Sequence, residues 1–416
     1  MKILHTVENY DPDICGMAEV VKQLSERLVK LGYDVTVATT YNPERKQEII
    51  NGVKILEFKI KGNIVKGLEG EVKKYEEFLL NSRFDIITNF AAQQWATDIM
   101  IPLLDKIKAK KVNVPTGFSG LYLPEYKEYF ENMKEWMKKY DINIFLSDDY
   151  RDINFARENK IQKNILIPNG ASTEEFLGSN DMNIKSLLNI PQENFLILLV
   201  GSHTSSKGHK EAIKIFRKSN IKNATLLIVG YESKEKDKKN IIWIARRLLF
   251  LFFGFGGRCG EKCRRSALLF NNSPFRLIDN KKIIIKSLQR EQTISVYKQA
   301  DLFLFPSNVE CSPIVLFECM ASKTSFLVTD VGNSKEIIKW SNSGILLPTK
   351  KDKRGYSYAK INESSKILEE IFYDKEKRKI MAEAGFKAWK KRFTWDKIAK
   401  EYEMIYVQLL KGKRLK

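Results

Sequence analysis

Short apolar runs alternate with longer segments in which apolar residues recur every three or four positions, from one end of the chain to the other. The runs predict strands near residues 2–6, 34–39, 53–58, 84–89, 111–115, 142–146 and 164–167, then 195–200, 225–229, 282–285, 301–305, 325–329 and 344–347. Between the first two, Val20, Val21, Leu24, Leu28 and Leu31 share one face of a helix that Gly32 ends, before Val35-Thr-Val-Ala38 opens the next strand. Strand and helix in strict alternation argue for α/β architecture, with parallel sheets covered on both faces. The pattern breaks between Asn169 and Pro191, where Gly170, Gly178 and several Ser and Asn residues interrupt it. A first domain is therefore expected over 1–170, a linker over 171–190, a second domain over 191–395, and a closing helix over 396–416 that packs back on the first domain. Neither an internal repeat nor a long low-complexity segment is visible.

One strand, turn and helix passage carries chemistry. Asp301-Leu-Phe-Leu-Phe-Pro306 leads into Asn308-Val-Glu-Cys-Ser-Pro-Ile-Val-Leu-Phe-Glu-Cys-Met-Ala-Ser322, in which Glu310 and Glu318 stand eight positions apart. Spacing alone proves nothing, since Glu69 and Glu77 repeat it in what reads as a solvated helix. Context decides. Ser312 can accept from the amides of a first helical turn and Pro313 suits the first helical position, so a helix should start near Ile314. Glu310 then lies in the loop and Glu318 on the helix, either side of an N-terminus that favours an anion such as a diphosphate. Carboxylates accept strongly from sugar hydroxyls, at about 1.5–3 kcal/mol per bond.

This passage resembles the Glu-x7-Glu signature of retaining glycosyltransferases of the family 4 type, which have the GT-B architecture of two Rossmann-like domains with parallel sheets facing across a cleft. Other segments agree in order. Lys2-Ile-Leu-His-Thr6 with the loop to Gly16, Ile165-Leu-Ile-Pro-Asn-Gly170, Leu198-Leu-Val-Gly-Ser-His-Thr-Ser-Ser-Lys-Gly208 and Phe393-Thr-Trp-Asp-Lys-Ile-Ala-Lys-Glu-Tyr402 each resemble the family's corresponding piece, so the likeness covers most of the chain. It implies that Glu310 contacts the transferred sugar, that Glu318 holds the ribose, and that the amides of Ile314 and Val315 face the phosphates. Lys207, after a strand and before a helix, is implied as the cation that stabilises the departing nucleoside diphosphate. Gly16 lets the first loop pass close to the donor.

The sequence also departs from that pattern. Ser202 stands where an arginine is common, Cys15 where a second glycine is, and Pro313 where a glycine would keep a backbone donor. The segment Val112-Asn-Val-Pro-Thr-Gly-Phe-Ser119 lacks the histidine that contacts the sugar in many relatives. The retaining family is thought to let the leaving phosphate help deprotonate the incoming hydroxyl, so no dedicated base is required. Asp11 and Asp13 flank Pro12 and can orient an acceptor or simply shape a turn. Asp148 and Asp149 read as a helix N-cap, Glu336 as a helix brace, and no catalytic metal is expected.

Composition bounds the partners. The 416 residues carry 71 basic and 51 acidic side chains, a net charge of +20. That excess points to anionic partners, yet no zinc finger, helix-turn-helix or RNA-binding motif supports nucleic acid. A nucleotide sugar and a membrane surface remain. Ile241-Ile-Trp-Ile-Ala-Arg-Arg-Leu-Leu-Phe-Leu-Phe-Phe-Gly-Phe-Gly-Gly257, inside an expected insertion over 231–281, is too short to span a bilayer, and with Arg258, Lys262, Arg264 and Arg265 it reads as an anionic-membrane dock over 241–265 or as a core helix. Five cysteines without a paired framework fit a reducing compartment, and with no signal peptide in view a cytoplasmic protein, peripheral at the inner face of the cell membrane, is expected. Cys259 and Cys263 can bind metal or form a disulfide, but no second pair or histidine follows nearby, which argues against zinc.

The expected activity is transfer of a hexosyl-type sugar from a nucleotide-diphosphate donor to a hydroxyl of a glycan or lipid-linked acceptor, in cell-surface polysaccharide or glycolipid synthesis, with no cofactor. The alternatives are an inactive sugar- or membrane-binding module, and a sugar phosphorylase or epimerase of the same fold.

Overall fold

The computed structural model describes residues 1–178, 182–231, 259–274 and 279–412. The chain forms two compact units, the first from residues 1–173, 310–314 and 391–416, the second from residues 174–309 and 315–390.

In the first unit an eight-stranded sheet runs, edge to edge, Asn164–Leu166, Ile142–Phe145, Lys110–Val114, Ile86–Phe90, Lys2–Thr6, Asp34–Thr40, Val53–Phe58 and Ile49–Ile50. Only the last strand is antiparallel to its neighbour. Strand order reverses between Lys2–Thr6 and Ile86–Phe90, so the crevice beyond their carboxyl ends is the place where such sheets bind ligands. One face is covered by the helix Gly16–Lys30, whose Val20, Val21, Leu24 and Leu28 are fully or almost fully buried. Beside it lies the closing helix Trp395–Leu410, which contributes Trp395, Ile398, Tyr402, Ile405 and Tyr406 to the same core. The two helices are also tied by the ion pair of Arg27 with Asp396, at 3.2 Å.

The second unit holds six parallel strands in the order Lys281–Lys286, Ala224–Val229, Phe195–Val200, Leu302–Phe305, Phe326–Thr329 and Gly344–Leu347. Numbered along the chain this is 3-2-1-4-5-6, the order of a dinucleotide-binding Rossmann sheet. Its central strands are apolar at nearly every position because helices bury both faces. Thr225 is an exception, and its hydroxyl accepts from Asn194 Nδ2 at 3.2 Å, which satisfies a polar group that burial would otherwise penalise.

Several details differ from the sequence reading. Glu69 lies on a strand of a small hairpin, Ile60–Asn63 with Gly67–Gly70, and only Glu77 is helical, on Val72–Asn81. Two glycines and a β-branched entry favour the hairpin over an extended helix. The strand expected at 84–89 starts at Ile86, because Asp85 is used to hold the Lys2 amide at 2.6 Å. Short helices Thr173–Leu177 and Ile184–Leu187 occupy the expected linker. The helix Arg151–Glu158 is capped at Tyr150, not at Asp148 or Asp149. Asp148 pairs instead with Arg157, and Asp149 accepts from Asn154 at 2.9 Å. Among the described residues, no helix is long and apolar enough to cross a membrane. Residues 241–257 lie outside the described residues.

Candidate active site

In the second unit the reversal of strand order falls between Phe195–Val200 and Leu302–Phe305, and each strand opens into a loop at its carboxyl end. The loop after the first strand runs from Gly201 to Gly208 and carries Lys207. Gly208 has φ of +69° and begins the helix His209–Lys218. A Cβ on it would stand 2.0 Å from Pro306 O, so only glycine fits. The loop is stitched to its neighbour by Ser206 O, which accepts from the Asn308 amide at 2.8 Å and from Ser307 Oγ at 3.0 Å. Asn308 is anchored in turn by Ser357, with its Nδ2 donating at 2.9 Å and its carbonyl accepting at 2.8 Å. Lys207 is half-buried, with its stem beside Gly201. The backbone around it is fixed before any ligand arrives.

The helix after the second loop spans Ile314–Ala321, beginning where Pro313 predicted. Glu318 is one of its buried residues, at 4% exposure. Its Oε1 pairs with Arg290 Nη1 at 2.6 Å. Arg290 also forks onto Glu175, Nε to Oε1 at 2.9 Å and Nη2 to Oε2 at 2.7 Å. Burial, and after it the Glu318 charge, push the Tyr297 hydroxyl well above the usual phenol range, so it stays protonated. Neither Arg290 nor Glu175 was singled out by sequence. Arg290 follows the strand Lys281–Lys286, and Glu175 lies in the stretch read as linker. A basic residue at the start of a helix after a parallel strand was the available signal.

Glu310, by contrast, belongs to the first unit with Cys311, Ser312 and Pro313. There Asn169 Nδ2 donates to Ser312 O at 3.0 Å, which is the use made of the Pro-Asn-Gly turn. Gly117, at φ +99°, meets the same loop: a Cβ on it would lie 2.8 Å from Cys311 Cβ and from Tyr150 Cε1. The segment without the family's histidine therefore abuts the Glu310 loop through bare backbone. Burial raises the Tyr150 hydroxyl further above the usual phenol value, with Arg151 opposing the shift and the nearby Cys311 and Glu310 adding to it.

Gly16 opens the helix Gly16–Lys30, which Cys15 caps with its Sγ accepting from the Ala18 amide at 3.4 Å. The nearest atom to a Cβ built on Gly16 is Ile314 Cδ1, at an ordinary 3.8 Å. Protein packing does not demand glycine there. Val315, like Ile314, is half-buried at the start of its helix, where first-turn amides have no carbonyl partner within the helix. Asp11 is engaged with Lys22 Nζ at 2.6 Å and Asp13 with Asn42 Nδ2 at 3.1 Å, so both shape the turn. Glu336 lies in the first turn of Ser334–Ser341, where a carboxylate favours the helix.

Residues 265–388 match the family described as glycosyl transferases group 1. Over that stretch the chain is similar to the group 1 glycosyltransferases, and its two Rossmann-like units have the GT-B fold. The chain is 23% identical over 431 aligned positions to an uncharacterized glycosyltransferase of Methanocaldococcus jannaschii, covering 98% of both chains. Its fold is similar to that of sucrose-phosphate synthase from Thermosynechococcus elongatus, with a TM-score of 0.73 at 16% identity over 99% of this chain and 100% of the other. HepE from Anabaena, solved in complex with UDP and glucose, gives a TM-score of 0.69 at 13% identity over 98% and 100% of the two chains.

Proposed function

We propose that this protein is a glycosyltransferase that moves a hexosyl-type sugar, with retention of anomeric configuration, from a nucleotide-diphosphate donor to a hydroxyl of a glycan or lipid-linked acceptor. The observation that carries this reading is the switch point of the second sheet: Lys207 sits on one of its two loops, and the helix that follows the other bears Glu318. A ligand there meets a cation, first-turn amides and a carboxylate, which are complements for a diphosphate and a ribose. The likeness in fold to HepE, whose structure holds UDP and glucose, supports a uridine donor.

Each residue then has a task. Lys207 and the amides of Ile314 and Val315 neutralise the diphosphate as the bond from the anomeric carbon to its oxygen breaks. Glu318 accepts from the ribose hydroxyls, and Arg290 holds it in orientation. Glu310 accepts from hydroxyls of the transferred sugar. Gly16 leaves room for the donor, since packing within the protein gives no other reason for glycine. The acceptor hydroxyl attacks from the face the diphosphate leaves, and its proton passes to the departing phosphate oxygen. No metal or cofactor enters the scheme. The segment 241–265 and the net charge of +20 support an acceptor held at an anionic membrane surface on the cytoplasmic side, in cell-surface glycan or glycolipid synthesis.

Screening nucleotide sugars by thermal shift, then assigning the anomer of the product by NMR, tests this. A shift with one donor and a product of unchanged anomeric configuration is expected. Neither transfer nor hydrolysis with any donor would leave the binding-module reading, and turnover dependent on inorganic phosphate would favour a phosphorylase.

A further inference from the structure

The loop that carries Lys207 has a histidine on each side of that lysine, His203 and His209. Their rings stack at 4.6 Å between centroids and 28° between planes. Facing them is Cys259, the first residue of the helix Cys259–Asn271. One ligand atom from each of the three, two imidazole nitrogens and the thiol sulfur, lies within 4.8 Å of both others. The cluster is not visible along the sequence, because the histidines stand some fifty positions before the Cys-x3-Cys pair.

The orientation of the rings is informative. His209 is 1% exposed, and its Nε2 lies 3.1 Å from Gly201 O. Donation to that carbonyl puts the proton on Nε2 and leaves the Nδ1 lone pair turned toward Cys259 Sγ, 3.9 Å away. A metal-bound imidazole is oriented by this kind of outer hydrogen bond. His203 Nδ1 is buried with no hydrogen-bond partner, a state that costs free energy in a closed protein. Cys263 stands one helical turn beyond Cys259, buried and just outside this group of three, so it reaches the ion by a turn of its side chain, and all five cysteines are unlinked. Zinc bonds of about 2.0–2.3 Å in a tetrahedron hold neighbouring nitrogen and sulfur ligands roughly 3.3–3.8 Å apart. The 3.9 Å between Nδ1 and Sγ is long for a hydrogen bond and closes on a central ion with a shift of a few tenths of an ångström.

We propose that His203, His209 and Cys259 bind a zinc ion, with Cys263 as the fourth ligand. Two imidazoles and two thiolates form a closed set of the kind that serves structure, not catalysis. The ion ties both ends of the 203–209 loop to the helix Cys259–Asn271, which also packs on the helix His209–Lys218. The assignment does not depend on which donor or acceptor the enzyme uses.

The test is made on the full chain, with any affinity tag removed. Elemental analysis should find one zinc per chain, and Co2+ added to the metal-free protein should give the intense thiolate-to-cobalt absorption of a tetrahedral site. Cys259→Ser and His209→Ala should each weaken Co2+ binding by more than the roughly 10–100-fold cost of losing an outer-shell partner. Cys15→Ser, which changes an exposed cysteine elsewhere, should bind as the parent does. Wild-type protein that carries no zinc and gives no such absorption overturns the site, whatever the variants do. An unchanged spectrum in Cys263→Ser overturns the fourth ligand.

Discussion

Arg290 joins two carboxylates at once: Nη1 lies 2.6 Å from Glu318, while Nε and Nη2 hold Glu175 at 2.9 and 2.7 Å. Glu318 is almost wholly buried, so without this partner its charge would be expensive to keep. The fork geometry is specific to arginine, since an ammonium cannot present three directed donors in one plane. Arg290→Lys should therefore weaken nucleoside-diphosphate binding about tenfold, equivalent to about 1.4 kcal/mol. Arg290→Ala should also destabilise the second unit by roughly 1.5–3 kcal/mol, the scale of a charge-assisted hydrogen bond. Calorimetric titration with UDP, beside thermal unfolding, reads both. Full affinity in Arg290→Lys would mean that Glu318 is a structural ion-pair partner and not a ligand residue.

The two glutamates should separate by ligand. Glu318→Ala removes a ribose contact, so affinity for free UDP and for the sugar donor should fall together. Glu310→Gln keeps size and loses charge at the transferred sugar, so transfer should fall much further than binding of UDP, which has no sugar to contact. Lys207→Ala should lower turnover through the loss of diphosphate stabilisation. Equal losses for both ligands in Glu310→Gln would remove the role given to that residue.

Two glycines give opposite expectations from one substitution. Gly208→Ala forces a Cβ to within 2.0 Å of Pro306 O at positive φ, so the loop must distort and stability should fall by about 1–3 kcal/mol. Gly16→Ala meets only Ile314 Cδ1 at 3.8 Å and replaces glycine in a helix, so the protein should stay folded with unchanged or slightly higher stability. Its donor affinity should nonetheless drop, because the added methyl occupies space read as the ligand's. Melting temperature and donor titration on both variants distinguish the cases, and normal donor binding in a folded Gly16→Ala protein would clear Gly16 of that role.

The strands and the start of the helix at Ile314 were legible because burial on both sheet faces demands unbroken apolar runs, and because Pro313 has one comfortable place in a helix. The hairpin around Glu69 was not, since its strands are four residues each, the one that carries Glu69 is mostly exposed, and neither has a periodic apolar signal. Lys207 and the Glu310/Glu318 pair could be picked out because strand, loop and helix are contiguous in sequence. Arg290, Glu175 and the two histidines could not, because each meets residues far away along the chain. Asp148 and Asp149 read as caps for a related reason: their local pattern suits a cap, but Arg157 and Asn154, about two turns and one turn on, offer them stronger partners.

His5 supplies a pH dependence whose sign follows from burial. The ring is 0% exposed on the first strand, with Nδ1 2.8 Å from Ser25 Oγ and Nε2 3.3 Å from the Tyr406 hydroxyl. Burial lowers its pKa from 6.5 to about 3. Above pH 6.5 the ring is neutral whether the chain is folded or not, and it contributes no slope. Below that value the unfolded chain takes up a proton that the folded chain refuses until about pH 3, so stability falls by up to about 1.4 kcal/mol per pH unit. Asp98 works in the other direction, since burial raises its pKa to about 6 and the folded state gains as it protonates. Comparison with a His5→Asn variant cancels that term and every other common to both proteins. The variant should be less stable at pH 7, having lost a well-bonded ring, but the gap to wild type should narrow by about 1.6 kcal/mol between pH 6.5 and 5. Urea unfolding at a series of pH values measures it, and a gap that stays constant would show that His5 takes up its proton as readily in the folded protein as in the unfolded chain.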